Sequence, residues 1–149
     1  MKIRNIAYTA AITAGLLAFL FAGMAQAAQP GGDSIVGIWN TSKGEANIQI
    51  YRCGGYYCGK IIWTKDKPGV DDKNPDPGLK GRPVIGMQMM NSFAFDGKEK
   101  WTGGRIYDSD SGKTYSAQIT LDSPDRLRLR GYLLVSLLGK STVWTRVRR

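Results

Sequence analysis

The chain contains no histidine. Histidine is the side chain most often used as a general base near neutral pH and the commonest transition-metal ligand. Its absence argues against hydrolytic triads and zinc sites. Cysteine is scarce, with Cys53 and Cys58 the only two in 149 residues. Four residues separate them, so they are not a Cys-x-x-Cys redox pair. Acidic side chains number 12 against 21 basic ones, for a formal charge of +9. Beyond the N-terminal segment there is no helical 3.6-residue period longer than two turns.

What is present begins with location. Lys2 and Arg4 precede an uncharged apolar run, Ile6–Gly23, and Ala25-Gln26-Ala27 puts small residues where a signal peptidase reads. This is the layout of a secretory signal peptide over residues 1–27. The following Gln29-Pro30-Gly31-Gly32-Asp33 is not the basic flank of a retained anchor. Residues 28–149 are therefore expected to form a single periplasmic or secreted domain with no membrane span after processing. Of the +9, Lys2 and Arg4 carry two charges, leaving +7 on that domain. In an oxidising compartment the even pair Cys53 and Cys58 reads as one disulfide.

The rest reads as strand and turn. Nineteen glycines punctuate short runs of Val, Ile, Thr, Tyr and Trp with two-residue alternation. Strands are expected near 36–41, 45–52, 57–64, 86–95, 100–107, 113–121, 126–134 and 140–147. If Cys53 faces Cys58, Ile50 faces Ile61 and Ile48 faces Trp63, with the apolar pairs on one side. Alternation puts Met87, Met89, Asn91, Phe93 and Phe95 on one face of the fourth strand, and Tyr115, Ala117, Ile119 and Leu121 on one face of the sixth. Lys65–Pro83 holds four of the six prolines and cannot be a ladder strand. It is a natural lid or specificity loop. Eight sequential strands joined by short turns predict an all-β, antiparallel up-and-down barrel, since closure removes exposed edges. A two-sheet sandwich is the alternative.

Gly37-Ile38-Trp39 on the first strand and Trp144-Thr145-Arg146 on the last resemble the ends of lipocalin and avidin-like barrels. That resemblance implies that Trp39 closes one end and Arg146 packs over its ring. Further stretches are similar to an exported bacterial family catalogued as domain of unknown function 2147. They are the Cys53–Cys58-Gly59-Lys60-Ile61 segment, Asp72-Lys73-Asn74-Pro75, Gly103-Gly104-Arg105-Ile106-Tyr107-Asp108, Gly112-Lys113-Thr114-Tyr115 and Leu129-Arg130-Gly131-Tyr132. The chain departs from that family's pattern at Ser109, where proline is frequent, and at Leu134, where glycine is usual. The resemblance implies a secreted lipocalin-like barrel and no particular activity.

Candidate sites follow. Trp63, Asn91, Phe93, Phe95 and Tyr115 are expected to line the bore and hold a small apolar or amphipathic ligand. Arg126, Arg128 and Arg130 form a basic stripe on one strand face, able to meet an anionic envelope component such as lipid or cell-wall polymer. Nucleic acid is not expected, because the stripe lacks interleaved aromatics. Asp71-Asp72-Lys73-Asn74-Pro75-Asp76 is oxygen-rich but fails the EF-hand pattern, with Pro77 and Pro83 where Gly and Glu are needed. It reads as a turn that caps its own backbone. Met87, Met89 and Met90 read as core filler, not a copper site. An enzyme would need a carboxylate pair such as Asp72 and Asp76 beside a cleft. The expectation is a non-enzymatic binding protein without metal or cofactor.

Overall fold

The computed structural model describes residues 30–132 and 141–148. The expected signal peptide over residues 1–27, Leu133, Leu134 and Lys140 lie outside the described residues. Eight strands follow one another around a closed antiparallel barrel: β1 (Gly37–Asn40), β2 (Ala46–Cys53), β3 (Tyr56–Thr64), β4 (Gln88–Phe95), β5 (Lys100–Asp108), β6 (Lys113–Ser123), β7 (Arg126–Tyr132) and β8 (Ser141–Arg146). The barrel closes where Trp39 pairs with Arg146 and Asn40 with Thr145. Closure satisfies the ladder groups that an open meander would leave bare at both edges. Among the described residues no helix is long and apolar enough to cross a membrane.

The period-two pattern explains the interior. Ile48 and Ile50 of β2, Ala117, Ile119 and Leu121 of β6, Leu127 and Leu129 of β7 and Trp144 of β8 are buried with Trp39, Phe93 and Trp101. An eight-stranded bore is narrow enough for side chains to fill. Where two large groups meet, glycine makes room. A Cβ on Gly104 would lie 2.3 Å from the Phe93 ring, and one on Gly59 would lie 2.8 Å from the Met90 sulfur.

The expected register or alternation fails at three places. The β2–β3 hairpin turns tightly at Gly54-Gly55, so Cys53 faces Tyr56, and Cys58 faces Tyr51. The Cys53–Cys58 disulfide forms nonetheless, across a diagonal with 5.8 Å between Cα atoms. This two-residue offset preserves faces, so Ile48 meets Ile61 instead of Trp63. A bulge between Asn47 and Ile48 then inserts Ile62 on the partner strand and sets Trp63 opposite Asn47. Trp63 is therefore turned outward, 45% exposed. In β4, Ser92 takes a left-handed backbone (φ 62°) and the pairing to β3 slips between Met90 and Phe93. Met87 and Met90 are buried, Met89 is partly buried against the core, and Asn91 pairs with exposed Arg105 on the outside.

Candidate functional site

The two ends of the barrel differ. At one end a 3-10 turn, Gly32–Ile35, lies across the bore with Ile35 fully buried. The indole N–H of Trp101 donates to the Gly32 carbonyl at 3.0 Å, and that of Trp39 to the Ile35 carbonyl at 2.8 Å. Arg146 completes the seal. Its Nη1, Nη2 and Nε donate to the carbonyls of Val36 (2.9 Å), Ser34 (2.5 Å) and Pro124 (2.7 Å), while its guanidinium sits 4.2 Å from the Trp39 ring centroid. Gly37 is required beneath it: φ is 144°, and a Cβ there would approach Arg146 Nη1 to 2.6 Å. Desolvation lowers the Arg146 pKa, but from so high a starting value that the group stays charged. Beside the seal, Tyr57 Oη donates to Asp33 at 2.8 Å, and Arg52 reaches both. The hydrogen bond from Tyr57 holds the Asp33 carboxyl below its usual range, and desolvation raises Tyr57.

At the other end the strands are joined by residues 41–45, 65–87 and 109–112. Here the inward-facing positions are Ala46, Ile61, Ile106, Tyr115, Gly131 and Thr142. Their facing follows from register, since Tyr115 pairs with Ile106, Gly131 with buried Ala117 and Thr142 with buried Leu129. Apart from Ile61, these positions are half-buried. None is charged, and polar groups are confined to the Tyr115 and Thr142 hydroxyls. Tyr115 Oη lies 3.4 Å from Ser111 Oγ in the 109–112 turn.

The long 65–87 segment is tied to this end by a buried carboxylate. Asp71 has no exposed surface. Its Oδ1 accepts from Tyr107 Oη of β5 at 2.5 Å, and its Oδ2 accepts from Asn74 Nδ2 at 2.7 Å and Arg82 Nε at 3.0 Å. Its backbone pairs with Arg82 and Gly81. Burial opposes the charge, yet the three donors from Tyr107, Asn74 and Arg82 outweigh it and hold the Asp71 pKa below the ordinary carboxylate value. Desolvation and the adjacent carboxylate push the Tyr107 phenol up to about 12. Lys73 adds a second tie, its Nζ donating to the Asp110 carbonyl at 2.5 Å. Gly112 allows this approach, because a Cβ there would run into the Lys73 backbone.

The expected ligand-lining residues are not brought together. Phe93 is fully buried against Gly104, and Phe95 stacks on Trp101 at 4.9 Å near the sealed end, so both belong to the packed floor. Trp63 and Asn91 face outward because of the bulges. Tyr115 stands at the end opposite the seal. The positions Ala46, Ile61, Ile106, Gly131 and Thr142 at this end, and the partners Tyr107 and Arg82, were not read as site residues from the sequence. Asp71 and Asn74 carried a signal as a turn motif, but Tyr107 is 36 residues away and nothing local announces it. Asp72 and Asp76 are exposed on the same loop, and Asp76 caps Gly78. Among the described residues no group of three or more acidic or cysteine side chains is placed to hold a metal.

The arginine stripe is not a bare cationic surface. Asp122 on β6 accepts from Arg128 through both oxygens at 2.9 Å and lies 3.9 Å from Arg126, while Arg130 stacks 5.2 Å from the Tyr132 ring. A shallow polar groove of about 770 Å³ beside it mixes Glu99 and Asp122 with Lys100, Arg126 and Arg128.

Comparison with known proteins bears on the fold. The profile of a family described as an uncharacterized protein conserved in bacteria, DUF2147, matches residues 37–146. No curated protein matches the chain. The structure of protein HP1028 from Helicobacter pylori, described as belonging to the lipocalin family, superposes with a TM-score of 0.70 at 24% identity, covering 76% of this chain and 82% of that one. A redesigned β-barrel superposes with a TM-score of 0.45 at 16% identity, over 78% and 94% of the two chains.

Proposed function

The chain belongs to the bacterial DUF2147 family, and from its lipocalin-like barrel we propose that it is an exported, non-enzymatic binding protein that admits a small apolar or amphipathic molecule at its open end. The observation that carries this reading is the contrast in burial along the bore. The floor built by Trp39, Phe93 and Trp101 is fully buried, whereas Ala46, Ile106, Tyr115, Gly131 and Thr142 above it are only half-covered. A ligand seated there would gain about 25 cal/mol for each Å² of apolar surface removed from water. The Tyr115 and Thr142 hydroxyls would orient a neutral polar head group, and the 65–87 segment would form one wall of the entrance.

Gly131 supplies the test. Its φ lies outside the left-handed region, and a Cβ there would meet only the Tyr115 Cβ, at 4.0 Å. Gly131→Phe should therefore obstruct the mouth without straining the backbone. We expect it to weaken binding of the neutral fluorophore N-phenylnaphthylamine about tenfold or more, roughly 1.4 kcal/mol, with the thermal midpoint preserved. Equal binding by both proteins would overturn the site. Native mass spectrometry of the purified protein should also reveal a co-purified small molecule that the variant lacks.

A further inference from the structure

The outer surface of β1–β4 is unlike the rest of the barrel. On β5–β8 the outward side chains include Lys100, Arg105, Asp122, Arg126 and Arg128. On β1–β4 the outward charge is Lys60; Arg52 shares the face of Ile48 and Ile50, pairs with buried Tyr57 and is engaged by Asp33 at the sealed end. In their place stand amides and aromatics arranged in rows across the strands. Gln49 pairs with Lys60, which pairs with Gln88. One step nearer the open end, Asn40 pairs with Asn47, which pairs with Trp63. Tyr51 joins the rows: its Oη donates to Gln88 Oε1 at 2.9 Å, and Lys60 Nζ sits 5.8 Å from its ring centroid. Asn40 Nδ2 donates to Asn47 Oδ1 at 2.7 Å. These contacts fix several of the side chains in advance, which lowers the entropy lost on binding.

We propose that this face binds an extended glycan strand of N-acetylated sugars. Three features select that partner. Trp63 is turned out of the core by the Ile62 bulge and presents a broad apolar face, which suits the C–H face of a pyranose ring. Asn and Gln each carry a donor and an acceptor, so they pair with hydroxyl groups and, head to head, with acetamido groups. The rows cross strands spaced about 4.8 Å apart, comparable to one sugar ring, so successive sugars meet successive side chains. The near absence of uncompensated charge disfavours polyanions, whose binding rests on many cationic contacts. The surface lies outside the barrel and does not depend on the mouth being a binding site.

Tryptophan emission reads the site directly. The chain has four tryptophans, and Trp39, Trp101 and Trp144 are buried to 4% exposure or less. Acrylamide should therefore quench Trp63 selectively. The tetramer of N-acetylglucosamine is expected to cut that quenching by half or more. An Asn47→Ala/Gln49→Ala double variant, which keeps Trp63 as reporter, should bind the tetramer at least tenfold more weakly. N-phenylnaphthylamine binding at the mouth should be unchanged in that variant, which separates this proposal from the ligand site. Unchanged quenching with the tetramer would overturn it. So would equal tetramer binding by the double variant, or protection of Trp63 by phosphatidylglycerol vesicles but not by the sugar.

Discussion

At the sealed end, one arginine reaches three backbone carbonyls and covers an indole, so a cation holds neutral groups together. At the opposite end, one aspartate collects a phenol, an amide and a guanidinium, so an anion ties a long loop to the wall. Both arrangements satisfy buried polar atoms, but they restrain different things. Arg146 joins the first and last elements of the fold, and its loss loosens barrel closure itself. Asp71 joins a 23-residue segment, 65–87, to β5, and its loss frees the segment while the ladder beneath stays paired. The comparison teaches that the floor is built as core, whereas the rim is built as an attachment, and attachments can open locally.

Breaking the floor should have the larger effect. Trp39→Ala removes a fully buried indole together with its hydrogen bond and its contact with Arg146. We expect a loss of about 3–5 kcal/mol in denaturant unfolding, with the whole barrel affected. Breaking the rim should cost less and stay local. Asp71→Asn leaves Arg82 without its buried counter-ion, and a loss of about 2–3 kcal/mol is expected in the opening free energy of residues 69–84. Hydrogen exchange should accelerate there while β6 and β7 keep their protection; equal acceleration throughout would show that the rim is part of the core.

The rim should also carry the pH dependence. Asp71 has a lowered folded pKa, so its contribution is complete above the ordinary carboxylate value near 3.9 and is lost as pH falls through the folded value. Tyr107 is raised to about 12, so its contribution is complete below about 10 and is lost as pH rises through that folded value. Loop protection from exchange, corrected for the intrinsic rate, should thus be flat between about pH 5 and 9 and fall on either side. In the Asp71→Asn variant the acid limb should vanish. The smallest effect is expected from reducing the Cys53–Cys58 disulfide, which closes a short loop: about 1–2 kcal/mol, with mouth ligand binding retained.

Much of this was legible beforehand. The strand count and the meander order follow from period-two runs separated by Gly, Asp and Asn turns, and the meeting of Trp39 with Arg146 was implied by the resemblance to lipocalin-like barrels. The disulfide follows from two cysteines close in sequence in a chain expected to be exported. The facing of the expected ligand-lining residues was legible only in part. Trp63 and Asn91 obey alternation on paper, but one extra residue at Ile62 and the left-handed Ser92 reverse their faces. Phe93 and Phe95 do point inward, yet they fall at the floor, because height along the bore depends on strand stagger. The stripe of Arg126 and Arg128 looked cationic until β6 placed Asp122 against it.

Local chemistry alone decided which segments are strands, which way most side chains face and that the chain must curl to hide its edges, because these depend on neighbours two residues apart. Three things awaited the assembled barrel: which end is sealed, which aromatics became floor or outer surface, and that Asp71 would meet Tyr107. Each depends on stagger and bulges between strands, where a shift of one residue exchanges inside for outside and no single segment records the shift.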